Sequence, residues 1–130
     1  MKVINKTRQT VLAENAVIAK TTLKRMIGLL NRKGLEPGEA LIIKPCNSIH
    51  TFFMRFPIDV AFVDTNNRIT KTIRSMRPFR ISGIYLNALF CIELPTGTLE
   101  KTSTQPGDLV GTFPDPKQDR FLTQSGNCPH

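Results

Sequence analysis

The run IDVAFV at Ile58–Val63 constrains the fold more than any other stretch of the chain. Apolar side chains occupy both alternating sets of positions, as in a strand that is covered on each face of a sheet. Asp59 interrupts the run, and an ionised carboxylate in apolar surroundings needs a partner or a shifted pKa. The run therefore predicts a central β-strand that contains one paired acid.

Arg55 is the partner that the sequence offers to Asp59. The two residues lie four positions apart across Pro57, and strand parity would place them on one face if the bend preserves it. A guanidinium group can donate two parallel hydrogen bonds to a carboxylate. We therefore predict an ion pair of Arg55 with Asp59 inside the β core.

The stretch before this strand holds the side chains with the most varied chemistry. β-Branched and aromatic residues from Ile49 onward predict a strand that ends near Phe56. Parity along such a strand places His50 and Met54 on one face, and Cys46 has the same parity. The resulting candidate cluster, either ligand-binding or structural, comprises Cys46, His50, Met54, Arg55 and Asp59.

Cys46 and His50 allow several interpretations. His50 can be a structural residue that donates to a backbone carbonyl or to Asp59. As a general base beside a Cys46 nucleophile it would form the dyad of a thiol-dependent enzyme, which needs a lowered thiol pKa and a third, orienting group. With Met54 the pair would make a soft site for copper or zinc, but three ligands without a matching second pair are a poor metal signature. We therefore predict no metal and no cofactor.

A basic segment follows the central strand. The chain of 130 residues has a formal net charge of +8 and a pI near 9.9, which permits attraction to anionic partners. No acid occurs between Asp64 and Glu93. Glu93 is itself an acid in an apolar run, and we expect it to be paired across the sheet with a basic residue. Basic residues spaced three apart do not all fall on one face of a strand or of a helix, so a solvated segment is favoured over a nucleic-acid site. The segment comprises Arg68, Lys71, Arg74, Arg77 and Arg80.

The other apolar runs are short and bounded by turn residues. They predict strands at residues 40–43, 68–75, 109–113 and toward the end of 85–94. Glu14 and Asn15 suggest a hairpin turn between two further strands. The spacing of the apolar residues predicts one amphipathic helix over residues 22–33, with Thr22 near its start and Lys33 in its last turn.

These elements predict one mainly β domain over residues 1–113, a sandwich or partly open barrel with one short amphipathic helix. Residues 114–130 are rich in polar residues and proline, which predicts a loosely ordered tail. At this length a single domain can bury roughly two thirds of its unfolded surface.

Several motifs resemble the family called domain of unknown function 192. They include Pro45-Cys46, Ser48-Ile49-His50-Thr51 and Met54-Arg55-Phe56-Pro57-Ile58-Asp59, and later Pro78-Phe79-Arg80, Leu94-Pro95-Thr96-Gly97 and Gly107-Asp108. The resemblance spans roughly residues 11–113 and implies a jelly-roll-like β-sandwich, but no activity. Asn67 stands in a turn where family members often have glycine.

The sequence favours a small binding or accessory module over an enzyme. Its partner would be an unknown protein or a small anionic ligand, attracted to a polar cleft that includes Cys46, His50, Arg55 and Asp59. The first ten residues have no apolar signal-peptide core, and no window approaches the roughly 20 apolar residues of a membrane span. Three cysteines without a CxxC pair fit a reducing compartment, so we expect a cytoplasmic location.

Overall fold

A computed structural model describes residues 1–19, 34–52 and 54–114 of the chain. The helix predicted over residues 22–33 lies outside the described residues, as does the predicted tail beyond residue 114. The described residues form eight strands and one helix of four residues. No helix among them has the length and apolar character that crossing a membrane requires.

The elements follow in chain order. They are β1 (Lys2–Asn5), β2 (Thr10–Ala13), β3 (Asn15–Ala19), β4 (Glu39–Ile43), β5 (Ile58–Val63), β6 (Ile69–Met76), β7 (Phe90–Pro95), α1 (Thr98–Lys101) and β8 (Val110–Phe113).

The strands form two sheets. The smaller sheet has the order β2-β1-β8 and is antiparallel, and the larger has the order β3-β4-β7-β5-β6. In the larger sheet β3 and β4 are parallel, whereas the other neighbours are antiparallel. The sheets do not close into a barrel, and the arrangement confirms the predicted mainly β, sandwich-like fold.

The central position of β5 is confirmed. β5 lies between β6 and β7, and all six of its residues are buried. Ala61 and Val63 pack in the core that also contains side chains of the smaller sheet. Val60 and Phe62 pack in a second core on the opposite face. Full burial of such a side chain contributes about 1.5–3 kcal/mol, so both faces of β5 stabilise the domain.

The predicted hairpin at Glu14 and Asn15 is wrong. The strands on either side of Glu14 belong to different sheets, with β2 beside β1 and β3 beside β4. The Asn15 N–H donates to the Gly38 carbonyl and the Ala16 N–H donates to the Met1 carbonyl. Asn15 therefore begins a strand whose partners are distant in sequence, which a local turn pattern does not reveal.

The predicted strand leading to Phe56 is also wrong. Residues 51–56, apart from residue 53, which is not described, form turns and bends, and His50 makes an isolated bridge to Ile81. The Thr51 carbonyl accepts from the N–H groups of Met54 at 3.2 Å and Phe79 at 2.9 Å. A turn closed in this way replaces the extended pairing that the β-branched and aromatic residues suggested.

Candidate functional site

Asp59 is buried in β5, with 1% of its surface exposed. Its Oδ1 accepts a hydrogen bond from the Ser75 N–H at 2.8 Å. Its Oδ2 accepts from the N–H groups of Gly97 at 3.1 Å and Leu99 at 2.9 Å. Three backbone donors satisfy the carboxylate, which offsets the free-energy cost of burying a polar group. Asp59 thereby joins β5 to β6 and to the beginning of α1.

The predicted pair of Arg55 with Asp59 is wrong. Arg55 is exposed, and among the described residues the ion pair that forms is between Arg8 and Asp108. The chain bends at residues 55–56, so strand parity is not carried across Pro57. Asp59 finds its partners in backbone N–H groups instead.

The predicted polar cluster is divided between the two faces of the larger sheet. Directly paired residues of neighbouring strands project their side chains to the same face. Asp59 is paired with Leu94, and Phe62, of opposite parity, is paired with Cys91. The sulfur of Cys46 lies 3.3 Å from that of Cys91. Cys46 therefore lies on the side of the sheet opposite to Asp59.

Met54 lies on the Cys46 side of the sheet. Met54 is buried in the core that also contains Cys91. His50 is half-buried, and its ring stacks on that of Phe52 with centroids 5.1 Å apart. The thiol of Cys46 donates to the Ser48 carbonyl at 3.1 Å. The alternative of a thiol-dependent enzyme that uses Cys46 and His50 stays an untested hypothesis.

Glu93 is a second acid inside the larger sheet, with 0% of its surface exposed. Its directly paired neighbours are Leu41 on β4 and Val60 on β5. Neither is the basic residue that the sequence led us to expect across the sheet. Glu93 shares the face of Cys91, since the two residues are two positions apart on β7.

Asp108 is a third buried acid, and it lies in the loop before β8, beside the smaller sheet. Burial alone would raise its pKa, but hydrogen bonds from the Asn5 side chain and the Gln105 N–H, together with Arg8, hold the pKa below its ordinary value. Asn5 Nδ2 donates to Asp108 Oδ2 at 2.9 Å and also to Thr104 Oγ1 at 2.9 Å. The network ties β1 to the loop before β8.

Strand β6 carries an inserted residue opposite Asp59. Val60 is paired with Ile73 and Ile58 with Met76, so two steps along β5 correspond to three along β6. Ser75 lies within this β-bulge and has a left-handed φ of 50°. Its N–H is the one that donates to Asp59 Oδ1, so the carboxylate stabilises the bulge.

The bulge changes which face the basic side chains of β6 occupy. In a regular strand, residues three apart face opposite ways, and one inserted residue reverses the parity beyond it. Arg74 and Arg77 stand on either side of Ser75 and line the same cleft. The bulge therefore accounts for the shared side of Arg74 and Arg77, whereas Lys71 lies before it and Arg80 lies beyond the end of β6.

A hydrogen-bonded segment at residues 77–85 forms the other wall of this cleft. The Thr51 N–H donates to the Arg80 carbonyl at 2.9 Å, and the Ser82 N–H donates to the Ile49 carbonyl at 2.8 Å. Thr51 is fully buried, and its Oγ1 donates to the Arg77 carbonyl at 2.6 Å. The motif around Thr51 thus fixes the wall against the body of the domain.

The basic cleft, as we call it, has a volume of about 710 Å³. Among the described residues that line it there is no acid. Arg68 lies apart, because its Nη1 donates to the Gly107 carbonyl at 3.0 Å. The basic cleft contains four of the five residues of the predicted basic segment, namely Lys71, Arg74, Arg77 and Arg80.

The four cations of the basic cleft are exposed. Within the described ranges, no carboxylate lies at ion-pair distance from any of them. Lys71 Nζ lies 6.0 Å from the centroid of the Tyr85 ring, and that ring packs at 57° on Phe62. The guanidinium groups of Arg74 and Arg77 are consequently available to a ligand.

An apolar ridge runs beside the basic cleft. Its members are exposed and lie on the same hydrogen-bonded segment or directly after it. They are Phe79 (64% exposed), Ile81 (65%), Ile84 (69%) and Leu86 (84%). Adjacent apolar residues with this exposure often mark an interaction surface.

The described residues thus form a two-sheet β-sandwich with an open basic cleft. The chain belongs to the family DUF192, described as "Uncharacterized ACR", whose family model matches residues 3–112. The resemblance seen in the sequence is thus confirmed.

Curated relatives agree with this membership, and a solved structure has a similar fold. The chain is 36% identical over 102 residues to a UPF0127 protein of Pyrococcus horikoshii, a match that covers 74% of this chain and 85% of the relative. It is 26% identical over 124 residues to a UPF0127 protein of Thermococcus kodakarensis, covering 92% of this chain and 78% of the relative. A crystal structure of a protein of unknown function from Novosphingobium aromaticivorans has a similar fold, with a TM-score of 0.74 at 21% identity. That similarity covers 86% of this chain and 84% of the other.

Proposed function

We propose that this protein is a binding module for a ligand that carries clustered phosphate groups, and that the ligand occupies the basic cleft. The observation that carries the proposal is that Lys71, Arg74, Arg77 and Arg80 line one cleft, with no carboxylate among the described residues of its lining. The sequence also led us to expect a small anionic ligand, but the site now proposed for it is the basic cleft and not the residues around Cys46 and Asp59.

Arginine chemistry favours phosphate over a single carboxylate. Each guanidinium offers a planar fork of N–H donors that fits two phosphate oxygens at once. Arg74, Arg77 and Arg80 supply three such forks, and Lys71 adds a point charge. A ligand with several neighbouring anionic oxygens would engage more of them than a monoanion would.

Protection of the sheet edge, a purely structural role, explains only two of the four cations of the basic cleft. β6 is the edge strand of the larger sheet, and natural proteins protect such edges with bulges and charged side chains. Lys71 and Arg74 fit that role because they lie within β6. Arg77 and Arg80 lie beyond the end of the strand, so edge protection gives no reason for them.

Stacked nucleic-acid bases fit the basic cleft less well than phosphate groups. Single-strand binders combine cations with several open aromatic faces. The Tyr85 ring already packs on Phe62, and Lys71 lies over it. Phe79 is the exposed aromatic residue beside the cleft, so a ligand recognised through phosphate rather than through bases is favoured.

Phosphate groups of this kind occur in soluble polyphosphates and in lipid headgroups. The apolar ridge is relevant to that choice, because apolar side chains beside basic ones also suit the headgroup boundary of an anionic bilayer. The shared chemistry is the clustered phosphate, and separate titrations with sodium triphosphate and with phosphatidylglycerol vesicles distinguish the two sources.

Titration calorimetry with sodium triphosphate tests the proposal. The double variant Arg74→Ala/Arg77→Ala should bind about 10-fold more weakly or worse, since a hydrogen bond to a charged group contributes about 1.5–3 kcal/mol. The control Arg55→Ala/Lys44→Ala also removes two exposed positive charges, but from outside the basic cleft. It should keep the wild-type affinity within about twofold, apart from weak screening effects.

Equal losses in the two double variants would mean that net charge, not the cleft, attracts the ligand. In the vesicle arm, Ile84→Ser/Leu86→Ser should weaken binding only if a lipid headgroup is the source. No measurable binding of wild-type protein to triphosphate or to phosphatidylglycerol vesicles at low salt would refute the proposal.

A further inference from the structure

Cys46 and Cys91 form a thiol pair that the basic cleft does not use. Their sulfurs lie 3.3 Å apart, with the Cys91 S–H donating to Cys46 Sγ, although the residues are 45 positions apart in sequence. We propose that this pair is a modification site, a dithiol that a hydroperoxide oxidises to a reversible disulfide bond. The proposal is independent of the ligand proposed for the basic cleft.

The backbone around the pair is already held in place. The Cys46 N–H donates to the Leu89 carbonyl at 2.8 Å, and Cys91 lies within β7, paired with Ile43 on one side and Phe62 on the other. A disulfide bond is about 2.05 Å long. Movement of the two side chains can therefore bring the sulfurs from 3.3 Å to bonding distance, with little movement of the sheet.

The difference in burial of the two sulfurs sets the order of reaction. Cys46 is half-buried, whereas Cys91 has 0% of its surface exposed. Attack of the Cys46 sulfur on hydrogen peroxide breaks the O–O bond and gives a sulfenic acid and one water. The Cys91 sulfur then attacks the sulfenic sulfur, an S–S bond forms, and hydroxide leaves and takes up the thiol proton as a second water.

The electrons balance without a cofactor. The two thiols lose two electrons and two protons in total, and hydrogen peroxide gains them. Restoration of the thiols needs a reductant of the dithiol class, which exchanges with the disulfide through a mixed intermediate.

Intact mass spectrometry of the full chain after peroxide treatment tests this site. The protein should lose about 2 Da, the mass of two hydrogens, and dithiothreitol should restore it. Peptide mapping should find Cys46 linked to Cys91. The linkage should persist in a Cys128→Ser background, which removes the third cysteine of the chain.

Variants separate the roles of the two thiols. Cys91→Ser should leave Cys46 to gain oxygen atoms in place of the crosslink, and Cys46→Ser should leave Cys91 unmodified at the same peroxide dose. The crosslinked protein should melt on the order of 10 °C higher, because a closed loop of this length restricts the unfolded chain.

Two results would overturn the proposal. One is wild-type protein in which Cys46 proceeds to a sulfinic acid without any link to Cys91. The other is a disulfide that always involves Cys128. Both results are measured on wild-type protein, so they decide the question even if a cysteine variant fails to fold.

Discussion

Asp59 and the basic cleft are two charged regions with opposite relations to solvent. The carboxylate of Asp59 is buried, and three backbone N–H groups satisfy it. The cations of the basic cleft are exposed, and the described residues place no carboxylate beside them. A buried charge with all its partners inside the protein is a structural device, whereas an exposed set of like charges is available to bind something else.

Ser75 connects the two regions. Its N–H donates to Asp59 on one side, and the same residue belongs to the bulge that sets Arg74 and Arg77 along the cleft. The acid that is most conspicuous in the sequence therefore supports a site that lies next to it. Substitutions in each region show whether Asp59 and the basic cleft act separately or together.

The largest expected effect comes from Asp59→Ala. Three buried N–H groups would lose their acceptor, and we expect a loss of about 3–5 kcal/mol in the free energy of unfolding, measured by urea denaturation. Arg55→Ala is the matched control and should change stability by no more than about 0.5 kcal/mol, as an exposed substitution does. A loss on Arg55→Ala as large as that on Asp59→Ala would restore the ion pair that the sequence predicted.

A smaller effect is expected from Asp108→Asn, where two side chains and one backbone N–H hold the acid. The pKa of Asp108 is lower in the folded protein, so the unfolded chain takes up the proton first as pH falls. This contribution to stability is therefore present above the unfolded pKa of about 3.9 and is lost as pH falls through the folded pKa.

We expect Asp108→Asn to lower the free energy of unfolding by about 1–3 kcal/mol at pH 7, since one charged acceptor of the network is lost. Urea denaturation at a series of pH values below about 5 should also show a shallower decline for the variant than for wild type. Parallel declines for the two proteins would mean that Asp108 does not contribute to the acid sensitivity of the fold.

The sequence predicted the strands of the larger sheet well, because the apolar pattern within each strand is visible without knowledge of its partners. The apolar pattern of Ile58–Val63 indicated a strand covered on both faces, and β5 is that strand. β1 and α1 were not predicted, because KVIN has two apolar residues and TLEK has one, too few to show a pattern. The hairpin at Glu14 failed because strand partners depend on contacts distant in sequence.

The candidate site was harder to predict for a related reason. Side-chain types suggested Arg55 as the partner of Asp59, but the partners are backbone N–H groups, which every non-proline residue has and no sequence pattern marks. The shared side of Arg74 and Arg77 depends on one inserted residue at Ser75, and a bulge is set by register with the neighbouring strand. The sequence showed the cations but not the bulge that brings these two together.

The central claim is that a ligand binds at the basic cleft and not at residues 45–59, and amide chemical-shift mapping during a titration with sodium triphosphate tests it most directly. We predict progressive, saturable shifts of the amide signals of Lys71, Arg74 and Ser82, with those of Cys46 and Arg55 unchanged. Shifts centred on Cys46, His50 and Arg55, with the cleft signals unmoved, would contradict the account.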